Sequence, residues 1–495
     1  MADKPYKLSN LTNFFMSDYI TTIGLEIHAE LKTKTKMFCD SQNNPDEEKP
    51  NVNICPICMG HPGTLPVINK EAVKHVIKVG RALRGTIADF TEFDRKNYFY
   101  PDIPKGYQLS QYEFPLVSGG TLHNVAITRV HLEEDTATSL HDRGDYSLVD
   151  FNRAGVPLME LVTEPVIKSA REAGDFAREL QLLLRYLGVS DANMEKGEMR
   201  VEANISISKD AGKLGTKVEV KNINSFRAVE RAIAYEVSRH EALLDAGEKI
   251  LQETRGWNED TQKTFAQRRK EESHDYRYFP DPDLPKLAIS EIPEFKKEVL
   301  QKEMPELPSE KRVRYAKEFG IKPEDIELFV NEPLYAGYFE RAVPALKNKP
   351  SLVKLASNYI LSDLVGQSKV NGWKEDAVPA EVLAEIVTLL EEGELSSRGA
   401  KELIALYYAE GTTLAGKSLK EVATEKGLIQ KSNDDELTQV AESLIAENPK
   451  AVEEFKAGKI PSLQFLVGQG MKATKGSANP AKLRTILEGL LRAGS

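Results

Sequence analysis

Hydrophobic and polar residues alternate along several segments of the first three hundred positions, which is the period of a half-buried β-strand. In one segment, apolar residues at positions 23, 25, 27, 29 and 31 alternate with polar residues and a glycine. A second segment runs from Arg200 to Ile207, and a polar loop at 209–215 connects it to a further short stretch at 217–220. The pattern predicts strands at 23–31 and 200–207, the latter in an antiparallel hairpin.

Two longer segments instead carry apolar residues every three or four positions, which is the spacing of an amphipathic helix. The first stripe is Phe176, Ala177, Leu180, Leu183, Leu184 and Leu187, and the second is Phe226, Val229, Ile233, Val237, His240 and Leu244. These strands and helices do not alternate as regular βαβ units. The first three hundred residues are therefore predicted to form an α+β domain with an antiparallel sheet.

A proline-rich segment at 278–285 and the charged stretch that follows it indicate a boundary, after which the pattern is almost entirely helical. One stripe, from Leu437 to Ile445, stops at Asn448 and Pro449, because proline disfavours helix in the residue before it. At 495 residues the chain is too long for one ordinary core. The predicted domains are 1–300 (α+β), 301–424 (all-helical) and 425–495 (a helical tail).

Composition narrows the class of protein. Hydrophobic residues make up 41% of the chain and charged residues 29%, which is typical of a globular protein. No apolar run is long enough to span a bilayer, and the first residues lack a signal peptide pattern. Three cysteines are too few for a secreted disulfide framework, so we expect a cytoplasmic protein without membrane partners.

The net charge of −10 disfavours a general nucleic-acid binder, but the charge is unevenly distributed. Residues 456–495 contain one acid, Glu488, and seven basic residues: Lys456, Lys459, Lys472, Lys475, Lys482, Arg484 and Arg492. This tail is either a surface that faces phosphates or the solvated face of ordinary helices.

The first candidate for chemistry is the polar face of the strand at 23–31, which carries Glu26, His28 and Glu30. Side chains two positions apart in a strand point the same way, about 7 Å from each other. Two further segments, 131–135 and 157–162, supply more acids, and Glu160 lies among apolar residues, where a carboxylate needs a partner. Oxygen ligands with one histidine suit Mg²⁺ or Mn²⁺. The alternative is that these are ordinary solvated strand faces.

The second candidate is a cysteine clip formed by Cys39, Cys55 and Cys58. A Cys-x-x-Cys knuckle is typical of structural zinc sites, and His61 or Asp40 would complete the ligand set. The connecting loop, 40–54, has no apolar stripe of its own, so little besides a metal is expected to hold it closed, and zinc could supply the missing order. Three reduced thiols are the alternative.

The string GTTLAGKS at 411–418 matches the Walker A motif of phosphate-binding loops. That motif must follow a strand and begin a helix, so that its amides surround phosphate. The preceding residues, from Ser396 onward, predict a helix. We therefore interpret the match as coincidental.

Several long stretches, in one order, resemble the B subunit of the aspartyl/glutamyl-tRNA amidotransferases, the GatB family. They are IGLEIHAEL (23–31), ICPICMGHPGTLPVIN (54–69), RKNYFYPDIPKGYQLSQY (95–112), HLEED (131–135), VDFNRAGVPLMELVTEP (149–165), EVKNINSFRAVERA (219–232), ETRGW (253–257), HDYRYFPDPDLP (274–285) and FLVGQGMKATKGSANP (465–480). The resemblance implies a cradle-shaped first domain similar to glutamine synthetase and the guanidino kinases, a helical domain and a YqeY-like tail.

The resemblance also implies an activity and its requirements. The family's active-site Mg²⁺ would be held by Glu26, His28, Glu134 and Glu160. The chain would bind misacylated Glu-tRNA(Gln) or Asp-tRNA(Asn), phosphorylate the carboxylate with ATP and transfer ammonia from glutamine. The implied partners are the amidase (glutaminase) subunit of the amidotransferase, its small third subunit, and tRNA. Members that bind zinc usually have Cys-x-Cys where this chain has Cys39-Asp40-Ser41, so zinc is left open.

Two other functions compete with an ATP-dependent carbon–nitrogen ligase subunit. A stand-alone ligase acting on a small amino acid would not need the basic tail. A non-catalytic tRNA-binding scaffold would not need the acidic strand face. The chain also lacks a Gly-Gly-Ser-Ser amidase stretch, so another chain would have to release the ammonia.

Overall fold

The computed structural model describes residues 18–141, 144–269, 276–346, 349–414, 416–430, 434–474 and 478–493. The chain forms two compact units, which meet in sequence between Leu307 and Pro308. The first contains a large sheet with helices, and the described part of the second is helical. The predicted order of a mixed α and β region followed by a helical region is therefore confirmed. Within the described residues, no helix combines the length and the apolar character that a bilayer span requires.

Most strands of the first unit join one sheet. The strands are Ile20–Glu30 (β1), Thr86–Ile87 (β2), Phe90–Thr91 (β3), Asp94–Asn97 (β4), Tyr107–Ser110 (β5), Val117–Ser118 (β6), Thr121–Leu122 (β7), Val125–Glu134 (β8), Thr138–Leu140 (β9), Leu148–Asp150 (β10), Pro157–Thr163 (β11), Met199–Ser208 (β12), Val218–Ile223 (β13), Glu253–Asn258 (β14), Lys263–Arg269 (β15), Phe279–Pro280 (β16) and Leu287–Ala288 (β17). The sheet order is β15-β14-β13-β12-β1-β11-β8-β5-β4-β16, and β2, β6 and β7 extend it beside β8. The pairing is antiparallel except between β13 and β14. β1, β12 and the β12–β13 hairpin confirm the predicted strands.

Several helices begin with a side-chain cap. The α-helices are Lys70–Ala82 (α1), Ala170–Tyr186 (α2), Phe226–Asp245 (α3), Lys297–Glu303 (α4), Pro308–Phe319 (α5), Pro323–Asn331 (α6), Pro333–Ala342 (α7), Pro350–Tyr359 (α8), Val365–Asn371 (α9), Ala380–Glu391 (α10), Ser397–Glu410 (α11), Leu419–Glu425 (α12), Asp434–Glu447 (α13), Pro449–Lys456 (α14), Ile460–Ala473 (α15) and Pro480–Ala493 (α16). Ser169 and Ser225 accept hydrogen bonds from the backbone of Glu172 and Ala228, which satisfies free N–H groups at the starts of α2 and α3.

Among the described residues, α2 and α3 pack against one face of the central strands. Ile23, Leu25 and Ile27 of β1 are fully buried, in one core with Phe176 of α2 and Val229 of α3. Because side chains alternate along a strand, the even-numbered residues of β1 project from the opposite face. The sheet thus has a core face and a polar face.

The second unit confirms two further predictions. The predicted stripe from Leu437 lies on α13, which ends at Glu447, and Pro449 begins α14. The residues before the Walker-like string form α11, so a helix precedes Gly411. The ammonium of Lys417 pairs with Glu425, at 2.7 Å, and Ala415 lies outside the described residues.

Replacing Lys417 by alanine should leave ATP turnover within about twofold of wild type, because a helix rather than a strand precedes the string. Steady-state ATP hydrolysis by the assembled enzyme measures this. A collapse of turnover would mean that the string binds phosphate after all.

Candidate active site

Three neighbouring strands place acids and histidines in adjoining rows on the polar face of the sheet. His28 of β1 lies opposite Glu160 of β11, which in turn lies opposite His131 of β8. Two residues before His28, and on the same face of β1, Glu26 lies opposite Glu202 of β12. These side chains share a face because residues paired across antiparallel strands lie side by side and successive side chains of a strand alternate between the two faces.

The side chains converge on the His28 imidazole. Its Nε2 lies 3.4 Å from Glu160 Oε2, 3.5 Å from Glu133 Oε1 and 3.9 Å from Glu26 Oε1. Nε2 of His131 lies 3.5 Å from Glu160 Oε2. The possible ligand atoms of His28, Glu133 and Glu160 all lie within 4.8 Å of one another, as do those of Glu26, His28 and Glu202.

This crowding raises the pKa of Glu26, His28 and Glu133. Burial, together with the charges of Glu160 and Glu202, raises the pKa of Glu26 to about 7. Burial and the charge of Glu160 also raise the pKa of Glu133. Burial lowers the pKa of His28, but its hydrogen bond to Glu160 and the charge of Glu133 outweigh that effect and raise it to about 9. These three shifts favour the protonated form. Burial raises the pKa of Glu160, but the charge of His131 and the hydrogen bond from His28 outweigh burial and hold the pKa of that carboxyl below its usual range.

A divalent cation fits this donor set. Oxygen Oε2 of Glu133 is buried and accepts no hydrogen bond from any described group, which is costly unless something else neutralises it. A cation between His28, Glu133 and Glu160, with Glu26 beside His28, would supply the missing charge with carboxylate and imidazole ligands that Mg²⁺ or Mn²⁺ accepts.

Glu134 has other partners. Its carboxylate accepts hydrogen bonds from Lys105 Nζ, at 2.6 Å for the longer contact, and from the Leu109 backbone N–H, at 2.9 Å. Alternation along β8 places Glu134 on the side of the buried Val130 and Leu132. The structure therefore brings Glu26, His28 and Glu160 together but keeps Glu134 apart, and Glu133 stands in the cluster instead.

An open cavity of about 550 Å³ adjoins the cluster and contains cationic side chains that the sequence did not single out. Nζ of Lys96 lies 5.1 Å from the centroid of the Tyr276 ring and 6.0 Å from that of Tyr98. Among the described residues, Lys96 has no carboxylate within ion-pair distance. Burial lowers its pKa, but the charges of Glu133 and other acidic neighbours outweigh this effect and raise it. An ammonium so placed can bind an anionic ligand.

Comparison with known proteins identifies the family. Residues 21–293 match the GatB/GatE catalytic domain, and residues 337–491 match the GatB domain. The chain is similar to the B subunit of an aspartyl/glutamyl-tRNA(Asn/Gln) amidotransferase from Persephonella marina, 44% identical over 96% of this chain and 100% of that protein. The protein of the same name from Thermodesulfovibrio yellowstonii is 43% identical over 96% and 99%. The chain belongs to the GatB family.

In this GatB family member the three cysteines do converge. The sulfur atoms of Cys39, Cys55 and Cys58 lie within 4.8 Å of one another, and none of the three cysteines forms a disulfide. A hydrogen bond from Cys39 is the main cause that lowers the pKa of Cys58, to about 4. The ammonium of Lys36 lies 3.9 Å from Cys58 Sγ and balances one thiolate. Neither His61, Asp40 nor any other described histidine, aspartate or glutamate joins the group as a fourth ligand.

The clip loop is held by several hydrogen bonds, so the expectation that little besides a metal would hold it closed is wrong. The carboxamide oxygen of Asn152 accepts hydrogen bonds from the backbone N–H groups of Val52 and Asn53, both at 2.9 Å. Its amide group donates to the Lys49 carbonyl at 2.8 Å. At the other end, Lys36 N–H donates to the Ser41 carbonyl at 3.0 Å.

Replacing Cys55 by serine should leave ATP-dependent chemistry unchanged, because the thiols form a group separate from the carboxylate cluster. Elemental analysis of protein purified without chelator shows whether the three cysteines bind zinc or remain reduced without a metal. With zinc bound, the substitution should lower the free energy of unfolding by several kcal/mol; with reduced thiols, only about 1 kcal/mol is expected. A selective loss of chemistry would contradict the expected separation of this site from catalysis.

Proposed function

We propose that this chain is the B subunit of a glutamine-dependent tRNA amidotransferase, which acts on Glu-tRNA(Gln), Asp-tRNA(Asn) or both. The observation that carries the proposal is a pair of overlapping groups that share His28, namely His28 with Glu133 and Glu160 and His28 with Glu26 and Glu202, beside the cavity that Lys96 lines, within a family whose relatives bear that name. An acidic cluster able to hold a cation, next to an ammonium able to bind an anion, suits phosphoryl transfer.

The reaction has two steps. A carboxylate oxygen of the misacylated amino acid attacks the γ-phosphorus of ATP, the bond to the β-phosphate oxygen breaks and ADP leaves. Ammonia then attacks the carbonyl carbon of the acyl phosphate, inorganic phosphate leaves and a proton is released. Lys96 offsets the negative charge that accumulates on the transferring phosphoryl group. The cavity must exclude water, since water would hydrolyse the acyl phosphate.

The proposed cofactor is Mg²⁺. Its ligands would be Glu26, His28, Glu160 and Glu133, with Glu133 in place of Glu134. When bound, Mg²⁺ neutralises phosphate charge and aligns the reacting oxygens. We further infer a cradle fold of the glutamine synthetase and guanidino-kinase type for residues 1–300, a helical domain at 301–424 and a YqeY-like tail at 425–495. The amidase (glutaminase) subunit and the small third subunit of the amidotransferase would be its partners, in the cytoplasm.

A charging assay tests this function against its alternatives. Purified chain, with and without its amidase partner, is incubated with misacylated tRNA, ATP and glutamine or ammonium. Amidated tRNA that forms with ammonium but needs the amidase when glutamine is the donor supports the proposal. Amidation of a free amino acid would indicate a stand-alone ligase, and tRNA binding without ATP turnover would indicate a scaffold.

The charge of the tail is more balanced than residues 456–495 alone suggest. Residues 434–455 contribute seven acids and one lysine, so residues 434–495 contain eight acidic and eight basic residues. Lys459 and Lys482 pair with Glu454 at 3.5 Å and Asp434 at 3.2 Å, and Arg492 pairs with Glu488. Lys472 and Arg484 are exposed and have no ion pair with a described residue, while Lys475 lies outside the described residues.

We expect replacement of both Lys472 and Arg484 by alanine to weaken tRNA binding and to reduce its salt dependence by about two counterions, one for each phosphate contact. The matched control replaces Lys459 and Arg492, which pair with acids of the tail. Filter binding across a salt series measures both. Equal slopes for the two double variants would indicate that the tail is a solvated helical surface.

A further inference from the structure

Tyrosine rings form one wall of the open cavity beside Lys96. Tyr112 and Tyr278 line this cavity and stack face to face, with ring centroids 4.0 Å apart and an interplanar angle of 9°. Tyr276 also lines it and meets the rings of Tyr98 and Tyr278 edge-on, with centroids 5.8 and 6.0 Å away. We call these four tyrosines the aromatic wall. Packed rings give the cavity an apolar boundary on this side, whereas its other sides carry charged groups.

The aromatic wall adjoins the groups that would react. The ammonium of Lys96 lies 5.1 Å from the centroid of the Tyr276 ring, and Glu160 lines the same cavity as both. Burial, together with the charges of Glu133 and Glu160, raises the pKa of Tyr278 to about 12, so this phenol stays neutral around pH 7. The wall therefore borders the reaction face without adding charge to the carboxylate cluster.

Two members of the aromatic wall flank a residue with an unfavourable backbone conformation. Arg277, between Tyr276 and Tyr278, has a φ of 44°. This left-handed region is costly for residues other than glycine, so surrounding contacts must hold such a residue in place. Strand pairing does not do so, because the pairing of β16 with β4 comprises Phe279 and Pro280 and stops short of Tyr278. The two tyrosines therefore depend on some other contact for their position.

Asn97 of β4 supplies that contact. The register that pairs Phe279 with Arg95 brings Arg277, two residues earlier, opposite Asn97. The Asn97 carboxamide donates hydrogen bonds to the carbonyl of Arg277 at 2.8 Å and to that of Tyr276 at 3.2 Å. The Asn97 backbone N–H also donates to the Tyr276 carbonyl, at 3.0 Å. One residue thus fixes the carbonyls on both sides of the peptide bond that leads into the strained position.

We propose that Asn97 is a positioning residue for the transfer reaction: it keeps Tyr276 and Tyr278 in the aromatic wall, and the wall keeps water away from the acyl phosphate. The inference rests on the proposed function, because it takes an acyl phosphate to form beside Lys96. Attack by ammonia on that intermediate gives the amide, inorganic phosphate and a proton. Attack by water instead returns the carboxylate and releases the same phosphate and a proton. A site open to water would therefore consume ATP without making amide.

The test measures how many ATP molecules are consumed for each amide formed. The assembled enzyme is supplied with misacylated tRNA, ATP and glutamine, and ADP and amidated tRNA are quantified in the same reaction. The ratio of ADP to amide should be about one in wild type and rise at least about threefold in Asn97→Ala, because water then competes with ammonia. The matched control is Asn371→Ala, whose carboxamide donates to the Gln367 carbonyl at an exposed helix end of the second unit. Its ratio should equal that of wild type.

Two further variants separate positioning from a general loss of structure. Tyr278→Leu removes a ring of the aromatic wall directly, so it should raise the ratio as Asn97→Ala does. The double variant should be no worse than the worse single variant, because Asn97 acts through the wall. Arg277→Gly should restore part of the coupling in Asn97→Ala protein, since glycine adopts a positive φ without strain. A purely structural defect would lower ADP and amide production together and leave their ratio unchanged.

Circular dichroism first shows that each variant is folded. A wild-type ratio in both Asn97→Ala and Tyr278→Leu would overturn the inference. A raised ratio in Asn97→Ala with an unchanged ratio in Tyr278→Leu would also overturn it, because the aromatic wall would then not be what excludes water. Wild-type enzyme that forms no amidated tRNA, or that forms it without consuming ATP, would overturn the proposed function itself and the inference with it.

Discussion

Replacing Glu160 by glutamine, or His28 by alanine, should abolish ATP-dependent phosphorylation of misacylated tRNA. Each substitution removes a ligand from the cluster around His28 Nε2, where the two side chains lie 3.4 Å apart. Mutating a residue that only supports a metal ligand typically lowers metal affinity or activity about ten- to a hundredfold. Removing a ligand itself should therefore lower the rate of phosphorylation more than about a hundredfold. Transfer of labelled γ-phosphate from ATP measures the effect. The tRNA affinity and the glutaminase activity of the partner should stay near normal.

The matched control for this experiment is Glu164→Gln. Glu164 is close in sequence to Glu160, but its carboxylate accepts a hydrogen bond from Thr128 at an exposed position. The control should phosphorylate at the wild-type rate. Phosphorylation retained in both cluster variants would remove the proposed metal site from the mechanism.

The second large effect concerns metal binding, and it distinguishes Glu133 from the adjacent Glu134 as a ligand. Glu133→Gln should weaken Mn²⁺ binding at least about tenfold, because it removes a ligand whose second oxygen is buried without a hydrogen bond. Glu134→Gln should change the Mn²⁺ affinity less than about twofold, since that side chain is held by Lys105 and the Leu109 N–H instead. Electron paramagnetic resonance of free Mn²⁺ measures both without requiring any activity.

Circular dichroism must first show that both variants are folded, because Glu134→Gln removes the negative charge beside Lys105. The reverse order of affinities, with Glu134→Gln the weaker binder, would return the metal to the ligand set that the family resemblance implied.

The polar face of the site could be predicted from sequence, because period-two alternation is a local property. Ile23, Leu25 and Ile27 indicated which face of β1 is buried, and so placed Glu26 and His28 together on the other. The same alternation could have identified Glu133 as a member of the cluster. Val130 and Leu132 are the apolar positions of β8, so a residue of odd number, not Glu134, shares the face of His131.

Other features depended on pairing between distant segments. Nothing near Lys96 in sequence indicates that its ammonium lies 5.1 Å from the centroid of the Tyr276 ring. Tyr276 precedes β16, and the pairing of β16 with β4 brings this distant segment beside Lys96. The hydrogen bonds that hold the cysteine clip come from Asn152, a hundred residues away from Val52. Local composition suggested an unsupported loop, and a long-range contact supplied the support.

The central position of β1 has a consequence for how the chain is made. This strand is synthesised well before β11 and β12, its two neighbours in the sheet. Until they emerge, a strand rich in isoleucine and leucine has both edges unpaired, which favours aggregation. Charged side chains discourage such pairing, and Glu26 and Glu30 lie along this strand. The acids that equip the reaction face would therefore also keep the nascent strand soluble while it waits for its partners.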